Sequence, residues 1–330
     1  MTNPRSENNS MHAMILKQYG ANDGYHLADL QTPEPKKGEV RVKVHTSAFG
    51  PADYKVSRGI VKFLHARNFP IVLGYDFSGV VDATGPREGH WKAGDNVFGF
   101  LPYGPSNKQG AFSEFMIARA DQIAFKPSTI SHAQAAAAAT AGLTAMQGIR
   151  DQGRIPPRDA RVLITGVSGG VGSIAILVAK KLGAHVTAIG SQRGLKLARS
   201  LGVDALVDRK QGDVFENVNG PFDVIFDAAA AYRWSQWKGK LKKGGTFVTT
   251  LPSMAFAADK LTSLASSSRV QMVYVRANNR DLTLLGEWLS EGMEIPVDLT
   301  YPVTKLDQAL SRYEKGEFLG RILVDVWNGF

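Results

Sequence analysis

The glycines at positions 166–172 are the residues whose type and spacing point most directly to chemistry. They follow a short apolar run at residues 162–164 and precede apolar residues at helical spacing, so the pattern predicts a strand, a tight turn and a helix. Glycine lets the backbone approach a pyrophosphate closely, and a helix N-terminus offers unpaired N–H groups and the positive end of its dipole. A second apolar run at residues 185–189 completes a βαβ unit. We therefore predict a dinucleotide pyrophosphate site formed by Gly166, Ser168, Gly169, Gly170, Val171 and Gly172.

The end of the second strand indicates which dinucleotide is bound. In an NAD site this strand usually ends in Asp or Glu, which accepts hydrogen bonds from the ribose hydroxyls. Residues 188–193 here read Ala-Ile-Gly-Ser-Gln-Arg and contain no acid. Ser191 can hydrogen-bond a 2′-phosphate, Arg193 can pair with it, and Arg209 after the next apolar run is a second candidate cation. We expect NADP(H) as the cofactor; the alternative is that both arginines are solvated surface charges.

The composition argues against several other function classes. The chain has 330 residues, a formal net charge of +9 and no cysteine. Without thiolates there is no disulfide and no Cys₄ zinc site, and the seven histidines lack ligand spacing, so we expect no catalytic metal. The positive charge suits an anionic ligand such as NADPH, and no nucleic-acid-binding motif accompanies it. Because there is no long apolar stretch and the first ten residues are polar, we expect a cytoplasmic protein.

Two regions with different periodicities must position these residues. Residues 14–127 contain short alternating segments separated by Gly and Pro, which is typical of a β-rich, barrel-type domain. From Ser131, a candidate N-cap, a helix of small residues begins, and strands then alternate with helices to about residue 275. The pattern predicts late strands at residues 222–226, 246–250 and 270–275, helices at 281–290 and 306–313, and a closing strand at 321–326. We expect a disordered extension at residues 1–13, a Rossmann domain at 128–275, and a β-rich substrate domain at 14–127 and 276–330.

These segments, in this order, resemble the medium-chain dehydrogenase/reductase superfamily, in particular its zinc-free quinone oxidoreductase branch. The resemblance extends from Met14 to Val326. It is carried by the glycine turn and by FGPADYKVSRG, GYDFSGVV, GDNVFGF, GAFSEF, GLTA, LARSLGVD and LGRILVDV, at residues 49–59, 74–81, 94–100, 110–115, 142–145, 197–204 and 319–326. It implies an α/β protein in which a Rossmann domain with a doubly wound parallel sheet is joined to a β-rich GroES-like barrel domain.

Three positions refine the resemblance. Zinc-containing relatives carry a His-Glu pair where this chain has Tyr75-Asp76, so the resemblance implies no metal site. Residues 275–292 look like the Lys-Pro-Asn-x-x-Asp-Leu element of enone and alkenal reductases, with Arg276-Ala277-Asn278 at its start. The family's Asn-Pro pair is Gly50-Pro51 here, which removes an amide that lies near the nicotinamide in relatives.

The resemblance also implies roles for single residues. Tyr54 and Lys55 match a motif that faces the cleft in relatives, where Lys55 would stabilise an enolate and Tyr54 would donate a proton or line the pocket. The alternatives are a packed aromatic ring for Tyr54 and a surface charge for Lys55. Asp53 is expected to hold the turn through backbone hydrogen bonds. The resemblance further places Thr144 near the nicotinamide ribose, and we expect Asn278 to reach the nicotinamide end through the late loop. Phe49, Tyr103 and Phe256 are candidates for the pocket wall; the alternative for each is core or loop packing.

The activity implied by the resemblance is that of a zinc-independent, NADPH-dependent reductase. It would transfer a hydride to the β-carbon of an enone or alkenal, or to a quinone, while negative charge develops on the carbonyl oxygen. Two alternatives stay open: an enoyl-thioester reductase, and an NADPH-binding regulatory or structural partner with little turnover, which Gly50 favours. The expected partners are a small-molecule substrate and a second copy of the chain, because an exposed last strand at residues 270–275 can pair with its twin in a homodimer. No nucleic acid or membrane is expected as a partner.

Overall fold

The amino-terminal part of the chain is built mainly of antiparallel strands. The computed structural model describes residues 10–20, 24–62, 68–87, 89–104 and 109–330. Strand β1 begins at Ser10 and pairs with β2, so residues 10–13 lie in a sheet and not in the disordered extension predicted for residues 1–13. Residues 1–9 lie outside the described residues. The elements are β1 (Ser10–Leu16), β2 (His26–Gln31), β3 (Glu39–Phe49), α1 (Pro51–Ser57), β4 (Ile71–Val72), β5 (Asp76–Thr84), β6 (Asn96–Phe100), β7 (Phe115–Arg119) and β8 (Ile123–Phe125).

The middle of the chain alternates strands and helices, as the sequence predicts. Its elements are α2 (His132–Met146), β9 (Arg161–Thr165), α3 (Gly170–Lys181), β10 (His185–Gly190), α4 (Gln192–Ser200), β11 (Ala205–Asp208), α5 (Val214–Asn217), β12 (Phe222–Asp227), α6 (Trp234–Trp237), β13 (Leu241–Thr249), α7 (Met254–Thr262) and β14 (Arg269–Met272). The strands are parallel in the order β11-β10-β9-β12-β13-β14. The order reverses between β9 and β12, and such a switch point forms a ligand crevice at the carboxyl ends of the strands.

The ends of two predicted strands differ from the structure. Strand β13 begins at Leu241 rather than at residue 246, because the chain pairs with β12 already at Phe222 and continues through an irregularity in the register at the two glycines before Thr246. Strand β14 ends at Met272, and Val273 makes one more backbone bond to Thr249 before the chain leaves the sheet.

The C-terminal part returns to the first region. It consists of α8 (Asn279–Ser290), β15 (Val297–Pro302), α9 (Leu306–Lys315) and β16 (Arg321–Asp325). Strand β16 pairs antiparallel with β3, with Leu323 opposite Ala48. The resulting sheet has the order β15-β16-β3-β5-β6-β8, with β7 also paired to β3. Among the helices that the structure describes, none is long and apolar enough to cross a membrane.

Helix α2 packs the two regions against each other. Ser131 caps it by accepting a hydrogen bond from the Gln134 amide at 3.1 Å. A Cβ atom on Gly142 would lie 2.7 Å from a methyl carbon of Leu285, so small residues let α2 and α8 approach closely. Phe98 of β6 and Ile164 of β9 belong to one apolar core with the alanines of α2. The region between the β-rich and the parallel sheets is therefore a packed interface.

Candidate active site

The glycine turn is compact and leaves the start of α3 open. Gly166 has a φ of +66°, which favours glycine, and a Cβ atom on Gly172 would lie 2.2 Å from the Gly166 oxygen. The Gly169 amide donates to the Gly166 oxygen at 3.0 Å and Gly169 caps α3. The nearest atom to a Cβ on Gly169 would be 3.6 Å away, an ordinary van der Waals contact, so a methyl group is sterically tolerated there. All six residues of the predicted pyrophosphate site lie at the carboxyl end of β9, where free helix amides fit an anion.

The C-terminal segment closes against this turn. The Gly320 amide donates to the Ser168 oxygen at 2.8 Å, and Gly169 and Gly320 form a parallel backbone bridge. A Cβ atom on Gly170 would lie 2.5 Å from Cδ of Arg321. The glycine turn thus contacts the β-rich region directly, through the residues that begin β16.

Arg321 is the central charged side chain of this contact, and the sequence analysis missed it. Its guanidinium is buried and forms an ion pair with Asp76 through Nη2. Asp76 also accepts a hydrogen bond from the Thr140 amide at 2.6 Å. The Arg321 Nε atom is buried and has no hydrogen-bond partner among the described residues, and Nη1 would lie 3.5 Å from a Cβ atom on Gly50. Arg321 therefore touches the glycine turn on one side and the start of α1 on the other.

A signal for this pair was present in the sequence. Arg321 begins the predicted closing strand, and Asp76 stands beside an apolar run of the β-rich region. A buried charge requires a partner of opposite sign, so two such residues in one domain are candidates for pairing.

Asp53 holds the turn before α1, as predicted. Its carboxylate accepts hydrogen bonds from the Gly50 and Gly74 amides, both at 2.9 Å. Burial raises the pKa of Asp53 to about 7, although these two backbone bonds act in the opposite direction. The carboxyl group is therefore an acid that titrates near neutral pH beside the Arg321–Asp76 pair.

Tyr54 and Lys55 lie on α1, next to this polar group. The Tyr54 ring is half-buried, and its centroid lies 5.2 Å from that of Tyr313 on α9. Tyr313 stacks in turn on Phe318 at 5.0 Å. Lys55 is also half-buried, and desolvation lowers the pKa of its ammonium group. Tyr54 is therefore packed against other rings, and Lys55 is a partly desolvated cation.

The residues predicted to read the 2′-phosphate come together at the ends of β10 and β11. Gly190 is paired with Asp208, and the Arg209 amide donates to the Gly190 oxygen at 3.0 Å, which brings Arg209 next to Ser191. The Ser191 hydroxyl caps α4 by accepting from the Gly194 amide at 3.4 Å. Arg193 extends from the first turn of α4, where its Nη2 donates to the Glu317 oxygen at 2.9 Å.

Two residues expected at the nicotinamide end form hydrogen bonds with residues close to them in sequence. The Thr144 hydroxyl donates to the Thr140 oxygen, one turn back on α2, at 2.7 Å. The Asn278 side chain caps α8: it accepts from the Asp281 amide at 2.8 Å and donates to the Asp281 carboxylate at 3.0 Å. The structure thus gives Asn278 a capping role, and its contact with a cofactor stays a prediction.

The three expected pocket residues have different surroundings. Phe49 is a core residue, 2% exposed and stacked with Phe112, so it packs the barrel rather than forming an open wall. The Tyr103 ring lies 4.7 Å from Tyr75 and remains 39% exposed. Phe256 of α7 lines a hollow of about 150 Å³ at the carboxyl end of β13.

The position that carries metal ligands in zinc-containing relatives does not fit a metal here. The Asp76 carboxylate is occupied by Arg321 and by the Thr140 amide. Burial raises the pKa of the Tyr75 hydroxyl, which keeps the phenol protonated and unsuited to bind a cation. Within the described part of the chain there is no group of three or more His, Asp or Glu residues that could hold a metal ion.

Comparisons with known proteins agree with this architecture. Residues 36–128 match the family model described as an alcohol dehydrogenase GroES-like domain, and residues 201–324 match the one described as a zinc-binding dehydrogenase. The mitochondrial NAD(P)H oxidoreductase RTN4IP1 of Bos taurus is 32% identical over 98% of this chain and 91% of its own length. The 2-methylene-furan-3-one reductase of Solanum lycopersicum is 30% identical over 95% of this chain and 79% of its own length.

A solved structure is similar over almost the whole chain. The quinone oxidoreductase from Coxiella burnetii superposes with a TM-score of 0.86 at 28% identity, covering 96% of this chain and 99% of the other. The motifs, the two-domain fold and these relatives agree with one another. The chain belongs to the medium-chain dehydrogenase/reductase superfamily of oxidoreductases, in its quinone oxidoreductase and enone reductase branch.

Proposed function

We propose that this protein is a zinc-independent, NADPH-dependent reductase of enones or alkenals, or of quinones. The observation that carries the proposal is the convergence of three elements around Arg321. The glycine turn contacts its Cδ, the start of α1 lies beside Nη1, and Asp76 binds Nη2. A dinucleotide site and a candidate substrate site thereby share one buried cation.

The residues of the turn fit a dinucleotide. A Cβ atom at Gly172 is excluded by the Gly166 oxygen, whereas a Cβ atom at Gly169 would have its nearest neighbour at 3.6 Å. The Gly169 amide already donates to the Gly166 oxygen, so the amides of Val171 and Gly172 in the first turn of α3 would hold the pyrophosphate. Ser191, Arg193 and Arg209 would hold the 2′-phosphate. Thr144 and Asn278 are the residues proposed for the nicotinamide end. A nicotinamide bound there would supply the hydride.

Lys55 and Tyr54 are the groups proposed to act on the substrate. When a hydride adds to the β-carbon, the electron pair of the alkene moves toward the carbonyl oxygen. A cation at that oxygen stabilises the developing charge more strongly in a partly desolvated site than in water. Lys55 is such a cation. Tyr54, or water, would then give a proton to the α-carbon, which completes the addition of two hydrogens across the double bond.

The activities for which two relatives are named support the substrate class. The tomato relative is a reductase of 2-methylene-furan-3-one, and the Coxiella relative is a quinone oxidoreductase. Both substrates present a carbonyl group conjugated to a carbon–carbon double bond, or its quinone equivalent. An enoyl thioester has the same conjugation, so a thioester reductase remains the alternative within catalysis.

A binding partner with little turnover is the second candidate function, and Gly50 favours it. Gly50 has extended backbone angles that any residue adopts, and a Cβ atom there would lie 3.5 Å from Arg321 Nη1 and 3.8 Å from Asp53. A Cβ atom is therefore tolerated at this position, so neither backbone strain nor a clash at Cβ explains the glycine. The chain lacks a hydrogen-bonding side chain at a position where relatives carry an amide.

We include a homodimer and a cytoplasmic location in the proposal. Strand β14 lies at the end of the parallel sheet, and three large apolar side chains near it are exposed: Leu261 (69%), Leu264 (78%) and Tyr274 (66%). Pairing of two β14 strands would give hydrogen-bond partners to the backbone N–H and C=O groups at this edge of the sheet. Light scattering of the purified protein at the mass of two chains would support the dimer, and the mass of one chain would contradict it. Cell fractionation tests the location.

The test of the proposed activity is NADPH consumption against matched alkenals, cyclic enones and quinones, with NADH in parallel. We expect turnover of at least one substrate class with a preference for NADPH. Lys55→Met should lower kcat on the order of a hundredfold, and Lys62→Met, which changes an exposed lysine, should leave it unchanged. NADPH binding without reduction of any substrate would instead support the binding-partner function.

A further inference from the structure

One side chain links the predicted 2′-phosphate site to the substrate domain. Arg193 belongs to α4 of the parallel-sheet region, and its Nη2 donates to the backbone oxygen of Glu317 at 2.9 Å. Glu317 lies between α9 and β16, in the C-terminal part that pairs with β3. A single guanidinium group therefore spans the two regions beside the cofactor turn.

Arg193 keeps donors for a phosphate while it makes this bond. A guanidinium group has five N–H donors in a planar fork, and the bond to Glu317 requires only one of them. The residue is exposed, so its other donors are accessible to a ligand from solvent. The first turn of α4 also lies against the glycine turn, since a Cβ atom on Gly194 would be 3.1 Å from the Ser168 Cβ.

A continuous set of contacts leads from Glu317 to α1. Phe318, the next residue, stacks on Tyr313 of α9 at 5.0 Å, and Tyr313 packs on Tyr54 at 5.2 Å. A second connection between the same helices is the bidentate ion pair of Arg58 with Glu314, with both bonds at 2.7 Å. Helix α1 carries Tyr54 and Lys55. The position of residue 317 is thus coupled by packing to the helix that holds the candidate catalytic side chains.

We propose that Arg193 is a positioning residue that binds the 2′-phosphate of NADPH and the Glu317 oxygen together, so that NADPH, and not NADH, fixes α9 and α1 over the substrate. The inference rests on the proposed function. A ligand shifts a structural equilibrium only by contacts that differ between the two states, and the 2′-phosphate is the contact that NADH lacks. Without the phosphate, the Arg193–Glu317 bond is exposed to competition from water.

The test is hydrogen–deuterium exchange of the full chain, saturated with NADPH or with NADH, together with the dissociation constant of each cofactor. We compare the wild type with Arg193→Ala and with Arg209→Ala, a matched loss of the other candidate phosphate cation. In the wild type, NADPH should slow exchange at residues 306–321 by on the order of fivefold more than NADH. Arg193→Ala should weaken NADPH binding and abolish this difference at saturation. Arg209→Ala should also weaken NADPH binding, but at saturation NADPH should still protect residues 306–321 more than NADH does.

The possible results distinguish a failure of this inference from a failure of the proposed cofactor preference. If NADPH binds more tightly than NADH, yet both protect residues 306–321 equally in the wild type, the bridging role is wrong and the cofactor proposal stands. The bridging role is also wrong if NADPH still protects these residues more than NADH does in Arg193→Ala. If wild type binds NADPH and NADH with equal affinity, the proposed cofactor preference fails and the inference fails with it. Arg193→Lys keeps one charge without the fork, and we expect it to keep part of the affinity and lose the protection.

Discussion

Arg321 and Asp76 form an ion pair in which each side chain is only 5% exposed, at the point where β16, β5 and the glycine turn meet. The two residues are 245 positions apart. Because the pair lies between the proposed cofactor and substrate sites, its charges contribute to both the stability and the electrostatics of the candidate active site.

Removal of Arg321 should destabilise the fold strongly. Arg321→Met leaves the Asp76 carboxylate buried without its cation, and we expect the free energy of unfolding to fall by about 3–5 kcal/mol. Urea denaturation measures the change. The double variant Asp76→Asn with Arg321→Met should recover part of the loss, since asparagine still accepts from the Thr140 amide. A loss below about 1 kcal/mol in the single variant would show that the pair contributes little.

Two alanine substitutions in the glycine turn should have opposite effects. Gly172→Ala places a Cβ atom 2.2 Å from the Gly166 oxygen, and we expect overpacking to destabilise the protein by about 1–3 kcal/mol. In Gly169→Ala the nearest atom to the new Cβ is 3.6 Å away, so the change should leave stability almost unchanged. Its methyl group should obstruct the pyrophosphate and weaken NADPH binding by about tenfold or more, or ~1.4 kcal/mol. Thermal unfolding and equilibrium titration distinguish the two. Unchanged affinity in Gly169→Ala would argue against a pyrophosphate at this turn.

An acid at position 191 should change the cofactor preference. Ser191→Asp keeps a residue that caps α4 well, but its charge repels a 2′-phosphate by roughly 1–4 kcal/mol at about 4 Å. We expect kcat/KM for NADPH to fall at least tenfold, with the value for NADH unchanged or higher. Ser191→Asn, a capping residue without charge, is the control and should retain the preference. Equal losses with both cofactors would mean that position 191 does not face the phosphate.

Asp53 should make stability decrease as the pH rises. Its pKa is raised from 3.8 to about 7 in the folded state, so the folded protein holds this proton more tightly than the unfolded chain. The contribution is complete at low pH and is lost as the pH rises from about 4 to about 7, at roughly 1.4 kcal/mol per pH unit. The difference in unfolding free energy between wild type and Asp53→Asn should follow this slope and become constant above pH 8. A difference independent of pH would contradict the assigned titration.

The parts of the fold that depend on local pattern could be predicted. The βαβ unit from Arg161 to Gly190 follows from a strand, a glycine turn and a helix that are contiguous in sequence. The Ser131 cap and the bond from the Gly50 amide to Asp53 are likewise short-range features. The start of β13 was predicted at residue 246, but the strand begins at Leu241 because Gly244 and Gly245 stay within it.

Long-range pairing explains what was missed in the candidate site. The Arg321–Asp76 pair joins segments at opposite ends of the chain, and no local spacing brings them together. The bond from Arg193 to Glu317 depends equally on how the C-terminal part returns to the first region. At Asn278 a short-range interaction was missed instead. Its side chain caps the start of α8 by accepting from the Asp281 amide, a local role that the family motif does not reveal.

The most direct test of the account follows a hydrogen isotope. NADPH carrying deuterium at the transferred position of C4 is incubated with the protein and a cyclic enone, and the product is analysed by NMR. The account predicts deuterium at the β-carbon of the saturated ketone, and much less of it when NADH replaces NADPH. If NADPH binds and the protein reduces neither alkenes nor quinones with it, the protein is not the proposed reductase.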